Sequence, residues 1–126
     1  MTPADVAAAT YHDPSSPAAW AAGARPEDNE AYIAFMLERA KSLAMAAKYL
    51  WPIPNRGLNK RLHRVSAPTL LIWGESDGIV PRRYAEDFTA ALPQARTEIV
   101  AEAGHIPQFE QPERVAQAVE EFLSSN

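Results

Sequence analysis

The sequence predicts an α/β fold, two parallel strands with flanking helices, preceded by a helical segment. Three observations predict it. Thr69 to Trp73 is a continuous apolar run of strand length held between Pro68 and Gly74. A second short run, Arg96 to Val100, follows after a stretch with helical spacing. Upstream, Ile33, Met36, Leu37, Ala40, Leu43, Ala44, Ala47 and Leu50 recur at three- and four-residue intervals, which marks one apolar helix face. Strand, crossover helix and strand in this order imply a parallel pair. Residues 1–64 therefore read as a helical and irregular part, and residues 65–126 as a strand-helix-strand-helix part.

In the first part, Ser16 can cap a short helix over Pro17 to Ala22, with proline at its first position and Gly23 at its end. Asp28 or Asn29 can cap the long helix. Trp51-Pro52-Ile53-Pro54 should terminate it, because proline lacks the backbone donor and disfavours helix in the residue before it. Phe35, Met36 and Met45, on or near the apolar stripe, are expected in ordinary core packing, although methionine also suits an irregular pocket lining.

In the second part, Thr69 to Trp73 should be a strand buried on both faces. Pro81 to Leu92 should be a helix with Tyr84, Ala85, Phe88 and Ala91 on its buried side and Pro93 as its stop. After the second strand and the Gly104-His105 loop, Pro112 opens a final helix whose buried stripe is Val115, Ala116, Val119, Phe122 and Leu123.

The 126 residues suit one domain's worth of chain, with 47% hydrophobic residues. Sixteen acidic against twelve basic residues give a net charge of -4, which offers no general attraction to nucleic acid or an anionic membrane. The local basic cluster Arg56, Lys60, Arg61 and Arg64 reads as a solvated loop and helix end. No cysteine is present, so disulfides and thiolate chemistry are unavailable. His12 and His63 have no partner at a metal-ligand spacing and read as loop or surface residues. No metal or cofactor is implied. The N-terminus has neither a basic n-region nor a long apolar h-region, and a cytoplasmic location is the default expectation.

Two loops carry the chemistry. Pro68 to Pro81 reads Pro-Thr-Leu-Leu-Ile-Trp-Gly-Glu-Ser-Asp-Gly-Ile-Val-Pro, and Ala103 to Pro107 reads Ala-Gly-His-Ile-Pro. Asp77 and His105 thus each follow a strand, and if the strands are neighbours both side chains emerge at one edge of the sheet. Asp77 also suits a turn residue that hydrogen-bonds its own backbone, and His105 a plain loop histidine. Their equivalent positions, in the order acid then base, favour an aspartate that orients an imidazole acting as general base.

Those residues resemble the C-terminal half of an α/β-hydrolase. Ala67 to Leu123 looks like the last two strands and helices of that fold, with Trp-Gly-Glu-Ser-Asp-Gly-Ile-Val-Pro matching the loop of the triad acid and Ala-Gly-His-Ile-Pro the loop of the triad histidine. Gln108 to Val115, Gln-Phe-Glu-Gln-Pro-Glu-Arg-Val, is also similar to the family after its histidine. Residues 1–64 resemble, more weakly, the helical cap inserted before these strands. The first six strands, the oxyanion loop and the nucleophile elbow have no counterpart. The resemblance implies a hydrolase portion that supplies Asp77 and His105 for cleavage of a small ester or related substrate. Its partner would be the missing N-terminal half, and alone it would be inactive.

Two other readings stand beside this one. A noncatalytic module derived from the fold could pair its exposed strand with a partner. A small self-sufficient hydrolase could use Ser76, since Gly74 to Gly78 formally satisfies G-x-S-x-G. A nucleophile elbow passes directly from strand into helix, whereas Gly78 and Pro81 put a loop after Ser76. That reading also needs a new acid, such as Glu98 or Glu102.

Overall fold

β1 (Thr69–Gly74) and β2 (Ala95–Val100) run parallel, in register from Thr69 opposite Ala95 to Gly74 opposite Val100. They are the anchor of a computed structural model that describes residues 2–17, 19, 28–50 and 57–125. The described helices are α1 (Pro3–Thr10), α2 (Asn29–Leu50), α3 (Arg83–Ala91), α4 (Pro107–Glu110) and α5 (Pro112–Ser124), with single 3-10 turns at Leu58–Lys60 and Leu62–Arg64. Cα packing groups residues 1–22 with 59–126 in one unit and residues 23–58 in another.

In the first unit, the alternation of side chains along β2 assigns the two larger helices to opposite faces. The Thr97 hydroxyl meets Thr89 of α3. Glu98 instead pairs with Arg114 of α5, and the Arg96 guanidinium lies 5.7 Å from the ring centre of Phe122. The most enclosed apolar side chains among the described residues are small: Ala85 and Ala103 at 0% exposure, Val100 at 1% and Ala118 at 4%.

Within the first unit, burial differs from the sequence expectation in three places. Residues 69–73 of β1 are half-buried rather than enclosed, because the two-stranded sheet formed by the described residues has too little helix cover for both faces. The contact stripe of α5 runs through Val115, Ala118 and Phe122, leaving Ala116, Val119 and Leu123 exposed. Tyr84 is likewise exposed, and α3 packs through Ala85.

α1 is an element the sequence reading did not resolve. Its start is well specified: Thr2 Oγ1 accepts from the Asp5 N–H, Asp5 Oδ2 accepts from the Thr2 N–H at 2.6 Å, and Pro3 fills the first helical position. Of the short helix expected over Pro17 to Ala22, the Ser16 cap is present, with Oγ accepting from the Ala19 N–H. Pro17 and Ala19 are helical, while residue 18, residues 20–22 and the Gly23 stop lie outside the described residues.

The second unit contributes α2, capped by Asp28, whose Oδ2 accepts from the Ala31 N–H at 2.8 Å. None of its residues is buried, and Phe35, Met36 and Met45 are exposed rather than in a core. The physical reason is local. Nothing else described within that unit forms a second apolar layer. The Trp51 to Pro54 terminator lies outside the described residues, as does Arg56. Lys60, Arg61 and Arg64 are exposed. Among the described residues no helix is long and apolar enough to cross a membrane.

Candidate functional site

The parallel register ends at Gly74 opposite Val100, so the loops that leave β1 and β2 start side by side. Further hydrogen bonds carry this adjacency outward. Val100 O accepts from the Glu75 N–H, and Ala103 O accepts from the Ser76 N–H, both at 2.9 Å. Gly74 is required here: a Cβ on it would stand 1.9 Å from Gly104 O and 2.6 Å from Ala103 O. Only a residue with no side chain lets the loops approach this closely. Glu102 turns the second loop at a positive φ of 52° and is secured by the Gln111 side-chain N–H, which donates to its carbonyl.

Asp77 and His105 meet at this point. Asp77 Oδ1 accepts from the Ile79 and Val80 N–H groups, each at 2.8 Å, while Oδ2 lies 3.0 Å from His105 Nδ1. The turn contacts and the imidazole contact therefore coexist, one on each carboxylate oxygen. A carboxylate can only accept, so the contact places the proton of a neutral His105 on Nδ1 and leaves a lone pair on Nε2. The Asp77 side chain is 5% exposed and that of His105 39%, so the carboxylate is enclosed and the imidazole faces outward. A pocket of about 150 Å³ beside them is lined by Ile72, Trp73, Gly74, Asp77, Val80, His105 and Pro107. The Trp73 indole N–H donates to Val80 O and closes the acid loop.

Ser76 makes a different contact. Its hydroxyl lies 2.8 Å from His12 Nδ1, on a loop that follows α1. This is a serine-histidine pair by distance, but among the described residues the backbone N–H groups beside it already have acceptors. The N–H groups of residues 75–78 are committed to Val100 O, Ala103 O, Gly74 O and Ala9 O, and those of Ile79 and Val80 to Asp77. Stabilising a tetrahedral oxyanion needs free, aimed donors. Glu98, a possible acid for Ser76, is engaged by Arg114.

The sequence reading missed the support beneath the site. Ala9 O accepts from the Gly78 N–H at 3.0 Å, and Thr10 O accepts from the His105 N–H at 2.7 Å, so the end of α1 touches both loops. The visible signal was Thr-Pro-x-Asp at residues 2–5, a helix start, but nothing in it says where the helix docks. Among the described residues no cluster of three or more His, Asp or Glu is placed to hold a metal ion.

Comparison with known proteins follows the same outline. The family model for the alpha/beta hydrolase fold matches residues 4–112. The chain is 36% identical over 69 residues to a pimeloyl-[acyl-carrier protein] methyl ester esterase of Serratia marcescens, covering 55% of this chain and 27% of that protein. It is 33% identical over 91 residues to a 2-hydroxy-6-oxononadienedioate/2-hydroxy-6-oxononatrienedioate hydrolase of Paraburkholderia xenovorans, covering 71% of this chain and 32% of that protein. The malate-bound structure of a thermophilic esterase from Thermogutta terrifontis superimposes with a TM-score of 0.52 at 39% identity, over 53% of this chain and 25% of that one. The chain thus spans about a quarter to a third of the length of these relatives.

Proposed function

This chain belongs to the α/β hydrolase fold family, and from that premise we propose that Asp77 and His105 are the orienting acid and general base of a hydrolase acting on a small ester or related substrate. The nucleophile would come from residues outside these 126, on the half of the fold that precedes them. The observation that carries this reading is the 3.0 Å contact between Asp77 Oδ2 and His105 Nδ1 at the ends of adjacent parallel strands. The names of the relatives, two esterases and a dienedioate hydrolase, support the reaction class.

With a serine nucleophile, His105 Nε2 takes the hydroxyl proton as the oxygen bonds to the substrate carbonyl carbon. The imidazolium, stabilised by Asp77, then passes that proton to the departing alcohol. In the second half the same nitrogen deprotonates water, which displaces the serine and releases the acid. With an aspartate nucleophile the first attack needs no proton transfer, and His105 acts on the water of the second half.

The outer edge of β1, unpaired among the described residues, is the natural place for a preceding strand to add. The same open edge favours a second reading, a noncatalytic module that binds a partner strand. Joining or co-expressing this chain with a nucleophile-bearing N-terminal half and assaying small chromogenic esters separates the two. Hydrolysis that depends on His105 supports the first reading, and stable pairing without hydrolysis supports the second.

A further inference from the structure

Glu110 is not among the residues that line the pocket beside Asp77 and His105, yet its carboxylate bridges two segments that the site needs together. Oε2 accepts from the Gly104 N–H and Oε1 from the His12 N–H, each at 2.6 Å. Gly104 is the residue before His105. His12 follows by two the residue whose carbonyl accepts from the His105 N–H. A carboxylate that accepts two backbone N–H groups with separate oxygens fixes both donors at once, and charge makes each bond stronger than its neutral counterpart.

We propose that Glu110 is a positioning residue for His105: it clamps the 104–105 backbone against the 10–12 segment so that the imidazole meets Asp77. The proposal rests on the reading of Asp77 and His105 as acid and base, and it adds the group that holds the base in register. Three features of the chain converge on this role. The Gly104 backbone sits so near Thr10 that a Cβ on it would stand 2.3 Å from Thr10 O. Glu110 is carried on α4, a single turn that starts two residues after His105, so the clamp and the base move as one short unit. Pro107 and Pro112 stiffen that unit at both ends.

The test is amide hydrogen exchange, resolved by residue, on the 126-residue chain as wild type, Glu110→Ala and Glu110→Gln. Glu110→Ala should speed exchange at His12, Gly104 and His105 by about tenfold or more, with β1 and β2 amides unchanged within about twofold. Glu110→Gln keeps one acceptor oxygen and should restore protection at Gly104 or His12 but not at both. In parallel, the rate at which diethylpyrocarbonate modifies His105, taken relative to His63, should rise severalfold in Glu110→Ala. Unchanged rates at the three amides, equal acceleration throughout both strands, or an unaltered His105 reactivity would each overturn the proposal. None of these readouts depends on hydrolysis, so a completed protein that cleaves no ester would sink the catalytic reading and leave the clamp standing or falling by itself.

Discussion

Gly74 and Gly104 sit so close that a side chain on the first would overlap the backbone of the second: an added Cβ would stand 1.9 Å from Gly104 O. Gly74 ends β1, and Gly104 precedes the histidine contributed by the loop after β2. The approach of the two backbones therefore sets the separation of Asp77 from His105.

Gly74→Ala should consequently destabilise the fold by about 1–3 kcal/mol or more, as overpacking against rigid backbone does. Chemical denaturation would read the loss. A shift in midpoint no larger than that of an exposed glycine-to-alanine change would mean the loops can part freely.

In a protein completed with its nucleophile half, His105→Ala and Asp77→Asn should each lower kcat by about 10³–10⁴-fold. The asparagine is the sharper probe. Its amide oxygen can still accept from the Ile79 and Val80 N–H groups, but the amide nitrogen then faces His105 Nδ1 and favours the wrong tautomer. Folding should survive while turnover falls, and near wild-type turnover in either variant would refute the assignment.

Ser76→Ala, in the same completed protein, should leave most of the turnover intact. It removes one exposed hydroxyl contact to His12, and changes of that kind shift stability by less than about 0.5 kcal/mol. A fluorophosphonate probe that labels Ser76 would reverse this reading and make Ser76 the nucleophile.

Acid should loosen the start of α1. The hydrogen bonds from Thr2 hold the Asp5 carboxyl below its ordinary 3.8, the backbone N–H first and the hydroxyl second. A depressed acid stabilises the fold above its unfolded value and loses that contribution as pH falls through the folded one. Exchange of the α1 amides should therefore quicken as pH drops from about 5 to about 2, after correction for intrinsic rates. Asp5→Asn should flatten this pH dependence.

Much of the candidate site is legible in the sequence alone. The strand runs at residues 69 and 96 needed only length and bounding Pro or Gly, and the two loops announced Asp77 and His105 by residue type and place. What the chain hid was of two kinds. Partial burial of β1 and the shifted stripe of α5 depend on how many strands share the sheet, and periodicity reports a face without reporting what covers it. The supports at Ala9 and Thr10 act through backbone carbonyls, which every residue possesses and no sequence pattern distinguishes. Glu110 was visible within Gln-Phe-Glu-Gln-Pro, but its two acceptor roles depend on a segment 98 residues away.

The anchoring of both loops on the end of α1 also bears on how this protein can be cut and grafted. A piece beginning at residue 65 would retain every side chain assigned to chemistry, yet it would lose the acceptors of the Gly78 and His105 N–H groups and one half of the Glu110 bridge. The smallest transferable part is therefore discontinuous in sequence. A chimera built on the strand-helix boundary alone would inherit the reagents without the jig that aligns them, whereas one carrying residues 2–12 as well would bring both.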